Sequence, residues 1–307
     1  MGANDGMVLG TTKVFGTALQ GRAFNIVVLA EGFRDIEQGT FDAAVNDLVQ
    51  TLTATPPFDR HAQSLNVFRI NVASIESGAD DPNTGTVVRT YFDSTFGTAG
   101  LARLLTCDNT AALLVAAQEV PEFSVCLLAV NSTTYGGSGG SVGTFSLAGG
   151  AMEIAIHEMG HTAFDLADEY AYWAGGNEPG QAHHPPVEPR EPNVTLNADR
   201  PTLKWRSAVD AATPLPTTAN ADCALEDPQD NPFPSGTVGC YEGAHYYHCG
   251  AYRPQFDCKM RALGVPFCRV CGRHFQSPCP PFPGVVMTEP VADDTHRQPR
   301  EARRRSK

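Results

Sequence analysis

The sequence predicts an α/β (α+β) fold, and three observations carry that prediction. Runs of apolar and β-branched residues alternate with helical patterns through the first 150 of the 307 residues, the order expected of strands and helices packed in layers. Hydrophobic residues make up 42% and charged residues 18%, a globular balance that excludes a disordered chain or a coiled coil. The second half changes character. From Gly175 to Pro234 prolines are frequent and periodicity is lost, and seven of the nine cysteines fall between Cys223 and Cys279, so that half reads as loop-rich.

The elements follow in order. Phe24–Ala30 (FNIVVLA) is a near-continuous apolar run that reads as a strand buried on both faces. Phe41, Ala44, Val45, Leu48, Val49 and Leu52 recur at helical spacing. Leu65–Ala73 alternates as a strand, Thr110–Val120 reads as a short helix, and Ser124–Asn131 (SVCLLAVN) as a third strand. That strand runs into the glycine-rich segment Tyr135–Gly143, where backbone free of side chains offers either a solvent loop or an edge for an extended substrate. Pro278–Pro283 marks the expected end of the compact region. The division read from these features is an N-terminal extension over 1–20, a main domain over 21–280 with its upper lobe at about 21–165 and lower lobe at about 166–280, and a tail over 281–307.

The net charge of −12 argues against a nucleic-acid partner. It is uneven, because residues 297–307 carry a net +5 and leave −17 on the preceding 296. That is the pattern of an acidic globule with a flexible basic end. No apolar run approaches the ~18 residues of a membrane span, and no basic-then-apolar leader opens the sequence.

The chemistry concentrates in Ala151–Tyr170, AMEIAIHEMGHTAFDLADEY. Met152, Ile156, Met159, Ala163 and Leu166 recur at spacings of three and four, which gives one apolar helix face. His157 and His161 lie four apart on an adjacent stripe, so their rings point the same way about 6 Å apart along the axis. Two such imidazoles can share one zinc, and Glu158 projects beside it as a general base. The bland alternative is a helix whose histidines merely hydrogen-bond in a core. Gly149-Gly150 before the helix and the acids Asp165, Asp168 and Glu169 after it weigh against that alternative. A catalytic zinc takes three protein ligands and one open position. Asp168, seven residues after His161, lies on the ligand stripe but about 10 Å further along a straight helix, so it can bind only if the helix ends or bends after His161. Glu169 is the nearby alternative, and Glu242, His245 and His248 are more distant ones.

The run HEMGHTAFDLADEY, with the upstream NSTTYGGSGG and VRTYFDSTF segments, resembles the M64 family of zinc peptidases, the IgA peptidase family, from about Phe24 to about Cys271. The resemblance implies a metzincin-like fold, with an upper mixed sheet and helices, a lower irregular cysteine-rich lobe, and a cleft between them. It implies a zinc-dependent endopeptidase using a zinc-activated water, with His157 and His161 as ligands and Glu158 as base. It does not imply that immunoglobulin A is the substrate. Metzincins turn the chain with a glycine three residues after the second histidine and place the third ligand six after it. Here those positions are Phe164 and Ala167, so Asp168 as ligand departs from the pattern. Met260 fits the methionine turn beneath such a site, against simple core packing. Tyr252, with Tyr170 as the other candidate, would donate to the developing oxyanion, against ordinary buried tyrosine.

Cys107 and Cys126 flank one predicted helix and could pair. The downstream cysteines read first as two or three disulfides stapling the lower lobe, which with the family likeness favours an extracellular or extracytoplasmic location. The other reading is a structural zinc on Cys268-x-x-Cys271 with two more cysteines or His274. Three functions stay in view: a zinc endopeptidase acting on a polypeptide, a zinc amidase acting on glycan or cell-wall peptides, and a non-catalytic metal-stabilised binding protein. The complete His157-Glu158-His161 set speaks against the third, which has no use for the base.

Overall fold

A computed structural model describes residues 5–171, 182–224 and 230–275. Cys279, the Pro278–Pro283 run and the basic tail lie outside the described residues.

Strands β1 (Gly6–Phe15), β2 (Phe24–Glu31), β3 (Leu65–Ser74), β4 (Val125–Val130), β5 (Gly137–Ser138) and β6 (Gly143–Ser146) form one six-stranded mixed sheet in the order β1-β3-β2-β4-β6-β5. The inner pairs β3/β2, β2/β4 and β4/β6 are parallel, and the edge strands β1 and β5 run antiparallel to β3 and β6. β2 is central, and Val27, Val28, Leu29 and Ala30 are wholly buried. Its unbroken apolar run follows from cover on both faces. Helix α1 (Gln38–Ala54) turns Phe41, Ala44, Val45, Leu48 and Leu52 inward. A single turn, α2 (Phe58–His61), precedes β3, and α3 (Asn109–Glu119) precedes β4. Asp108 caps α3 through a side-chain bond to the Ala111 amide.

Five of the described strands went unread in the sequence, the short β5 and β6 because they lie in and just after the glycine-rich segment. Gly6–Phe15, assigned to an N-terminal extension, is an edge strand of the sheet. Register shifts at Val8/Gly10 and Lys13/Phe15 break its two-residue alternation, which removes the signal on which a strand assignment rests. In the second half, β7 (Tyr241–Ala244) and β8 (Tyr247–Arg253) form an antiparallel hairpin. Its turn residues His245 and Tyr246 both have positive φ, 55° and 72°, a conformation normally announced by Asn-Gly. The irregular chain around this hairpin hangs on it through backbone bridges, His183 to Cys249, Thr195 to Tyr252 and Thr218 to Tyr241.

Helix α4 (Ala151–Phe164) lies across the sheet beside α1, with Ile26, Leu48, Leu127, Ala155, Ile156 and Met159 packed around one small apolar space. At its end Phe164 joins an aromatic cluster with Phe24, Phe58 and Phe275 at ring separations of 5.5, 6.5 and 4.0 Å. Phe267 adds to it at 4.6 Å from Phe275. These rings fuse the first and last described segments into one hydrophobic core. The short α5 (Cys271–His274) ends the described chain.

Candidate metal centre

Two left-handed residues delimit α4. Gly150 enters it at φ 85°, as the glycine pair before the helix predicts, and Asp165 leaves it at φ 50°. The Asp165 amide donates to the carbonyls of Gly160 and His161, and the Leu166 amide to that of Gly160. This closure satisfies the last carbonyls and reverses the chain. Aspartate tolerates the left-handed region better than most side chains. The turn therefore sits one residue later than the position occupied by Phe164, and Asp168 arrives one residue later in step with it.

The reversal brings Asp168 back over the histidines. Nε2 of His157 and Nε2 of His161 are 3.1 Å apart, and Oδ1 of Asp168 stands 3.1 Å from the first and 3.3 Å from the second. Each ring is held from behind, His157 Nδ1 by the Lys259 carbonyl at 2.9 Å and His161 Nδ1 by the Leu166 carbonyl at 2.5 Å. A carbonyl only accepts, so both Nδ1 atoms carry hydrogen and both Nε2 lone pairs face the same point. Asp168 is buried, and its Oδ1 has no hydrogen-bond partner of good geometry among the described residues. Two ring nitrogens and a buried carboxylate oxygen without a well-aligned hydrogen bond, converging this closely, form a donor set that fits a cation once the rings give up their protons. Ligands about 2.0–2.1 Å from a tetrahedral zinc lie about 3.3–3.4 Å from one another, close to the spacing here.

The charges agree with that geometry. Burial opposes ionisation of Asp168, but the two imidazoles outweigh it and hold the carboxyl well below the usual carboxylate range. Burial likewise opposes charge on the rings, yet Asp168 raises His157 and pushes His161 up to about 9. Burial raises the Glu158 carboxyl against the lowering pull of the two histidines.

The glycine-rich segment makes room for these groups. A methyl on Gly137 would stand 2.8 Å from Glu158 Oε1, and one on Gly139 would stand 2.3 Å from the Cβ of His161. Real carbon contacts are longer than either, so the small residues let β5 and the loop after it press on α4. The outward groups of Gly137 are already used, its amide donating to Arg103 O at 3.2 Å and its carbonyl accepting from Leu105 N at 3.5 Å. At Gly137 this edge is therefore not open to a substrate strand. Met260 is fully buried beneath α4, with its sulfur 2.6 Å from where a methyl on Gly160 would stand.

Of the tyrosines, Tyr246 rather than Tyr252 reaches the site. Tyr252 lies on β8 opposite Glu242, its amide and carbonyl bonded to Thr195, and Glu242 and Cys240 are the charges that act on it besides burial. Tyr246 donates its hydroxyl to Asp168 Oδ2, and its ring lies 5.4 Å from that of Tyr170. Tyr170 accepts from Arg103 Nη2 at 3.3 Å. No sequence signal singled out Tyr246, since its position depends on a turn that lacks turn residues. The distant acids and histidines serve elsewhere. Glu242 accepts from the amides of Asn220 and Gly250, His248 bonds the Cys223 carbonyl, and His245 stacks on His184.

The cysteine expectations are corrected in two places. Cys107 and Cys126 are not bonded to each other: Cys126 is buried in β4, and the Cys107 thiol turns to Asn109 Oδ1 at 3.5 Å. Among the described cysteines one pair is bridged, Cys223–Cys249, in place of two or three. Glu169, the rival third ligand, points away from the histidines toward the free thiols of Cys258, Cys268 and Cys271.

The sequence profile of the IgA peptidase M64 family matches residues 15–227 and 222–277. The chain belongs to that family, and so to the metallopeptidases, hydrolases whose substrates are polypeptides. No curated protein matches it.

Proposed function

We propose that the chain is a zinc-dependent endopeptidase with His157, His161 and Asp168 as ligands and Glu158 as general base. The observation that carries this reading is the convergence of two Nε2 atoms and one buried carboxylate oxygen within 3.1–3.3 Å, with both rings fixed from behind by backbone carbonyls. Zinc bound there would polarise the scissile carbonyl and acidify the attacking water. Glu158, next to a ligand but not bonded to the Asp168 oxygen, would be the base that accepts a proton from the attacking water and returns it to the leaving amine. Tyr246 keeps Asp168 aimed at the histidines, and Tyr170 with Arg103 forms the polar wall beside it. Tyr252 is not carried forward as the oxyanion donor.

The fold is read as metzincin-like on three supports: the histidine helix beneath a mixed sheet, the chain reversal at Asp165, and buried Met260 against Gly160. The Cys223–Cys249 bridge supports an extracytoplasmic location, and among the described residues no helix is long and apolar enough to cross a membrane.

Glu158→Ala tests the assignment. The variant is expected to retain its zinc and to lose about 10²–10⁴-fold in cleavage of an unfolded protein. Zinc-loaded wild type that hydrolyses small amides but no polypeptide would overturn the endopeptidase reading in favour of an amidase.

A further inference from the structure

A second cluster of donors lies one residue from the first. Glu169, Cys258, Cys268 and Cys271 are all buried, and their ligand atoms lie within 4.8 Å of one another. The Cys258 and Cys271 sulfurs are 3.7 Å apart. That is far beyond a disulfide of about 2.05 Å and close to the ~3.8 Å edge of a tetrahedron built on 2.3 Å zinc–sulfur bonds. Cys271 Sγ is 3.1 Å from Glu169 Oε1.

The backbone is arranged for thiolates. The Cys268 amide points at the Cys258 sulfur at 3.2 Å, and the Cys271 amide at the Cys268 sulfur at 3.3 Å, donors that stabilise negative sulfur. Asn193 fixes the carboxylate by donating to Glu169 Oε1 at 2.9 Å, while the same side chain accepts from the Ala167 amide and donates to the Ala167 carbonyl. Such an outer clamp on a ligating group is a mark of built metal sites. Glu169 is completely buried, and its Oε2 has no hydrogen-bond partner among the described residues. Three thiols cannot all pair as disulfides, and no pairing among them would satisfy the carboxylate. A soft cation does both.

We propose that Glu169, Cys258, Cys268 and Cys271 hold a second, structural zinc, distinct from the histidine site and independent of whether that site cleaves peptides. Loading exchanges the thiol protons for the ion and releases them to solvent, with no redox change. The ion would brace the first site through two backbone links. Asp168 adjoins Glu169, whose amide donates to the Met260 carbonyl at 2.7 Å. Lys259, between Cys258 and Met260, presents the carbonyl that orients His157.

The test is metal content and coordination on the full chain. Wild type is expected to hold two zinc ions and the His157→Ala/His161→Ala variant one. X-ray absorption of that variant is expected to give a sulfur-dominated shell at about 2.3 Å, and adding Cys268→Ser is expected to empty it. If the histidine variant fails to fold, wild type alone decides, by two ions and about 1.5 sulfurs per zinc, the average of a sulfur-rich and a sulfur-free shell. A single zinc in wild type with a nitrogen and oxygen shell would overturn the proposal. So would a disulfide among Cys258, Cys268 and Cys271 in a non-reducing peptide map. Neither readout depends on peptide cleavage, so a failed peptidase reading and a failed structural site are told apart.

Discussion

The hydroxyl of Tyr246 donates to Oδ2 of Asp168 and leaves Oδ1 turned toward both His157 and His161. Tyr246 reaches that oxygen because the β7–β8 turn holds it and His245 at positive φ, a conformation that costs non-glycine residues about 1–3 kcal/mol each. Backbone bonds offset the strain: the His245 amide donates to the Asp168 carbonyl, and the Tyr246 amide to the Tyr170 carbonyl, each at 3.0 Å.

Tyr246→Phe removes the hydroxyl and keeps the ring. Zinc affinity is expected to fall about 10–100-fold, the usual effect of losing a group that orients a ligand, with little change in unfolding temperature. Competition with a chromophoric chelator measures it. Unchanged affinity would mean that Asp168 needs no help in finding its orientation.

Asp165 ends α4 at φ 50°. Asp165→Gly is expected to keep both fold and zinc binding. Asp165→Val puts a β-branched residue in the left-handed region, at about 1–2 kcal/mol, and releases the reversal that delivers Asp168. Urea unfolding of the metal-free proteins and zinc titration of the same samples separate these two effects.

Gly139→Ala places a methyl 2.3 Å from the Cβ of His161, whereas a methyl on Gly149 meets nothing within 4 Å. The first is expected to cost about 1–3 kcal/mol, as overpacking does, and to weaken zinc binding by shifting His161. The second is the control and is expected to do neither. Thermal unfolding and metal content report both.

The His161 pKa of about 9 in the metal-free protein sets a proton competition. Its folded value is raised, so below about pH 9 the ring holds a proton that zinc must displace. Apparent zinc affinity should therefore rise with pH up to about 9 and flatten above it, and uptake at pH 7 should release a proton from His161. Calorimetry in buffers of different ionisation enthalpy counts that proton as the excess of wild type over the His157→Ala/His161→Ala variant, whose uptake reports the thiol cluster alone. No excess would contradict the coupling to Asp168.

What the sequence made legible follows the reach of its signals. β2 and α4 were readable because one is apolar throughout and the other repeats at helical spacing, and both patterns are local. The histidine pair was readable because its four-residue spacing is itself the geometry. Asp168 was placed only conditionally, since its position depends on a left-handed turn at an aspartate instead of a glycine. Tyr170 and Tyr252 stand out in the sequence because one follows the histidine motif and the other lies in the AYRPQFDCKM run, whereas Tyr246 has no such neighbour and is brought to Asp168 only by the turn between β7 and β8. The thiol cluster lacked a second Cys-x-x-Cys because its carboxylate member, Glu169, comes from a segment far upstream in the chain.

The hydrogen bond from His157 to the Lys259 carbonyl spans 102 residues, and this has a consequence for the order of assembly. During synthesis the histidine helix leaves the ribosome well before the segment that aligns its first ring, and before the hairpin that carries Tyr246. The nascent chain therefore passes through a period in which His157, Glu158 and His161 are present but unaligned. A truncated product ending before Lys259 is therefore expected to carry His157, Glu158 and His161 without the carbonyl that orients the first ring, and to bind zinc more weakly than the full chain.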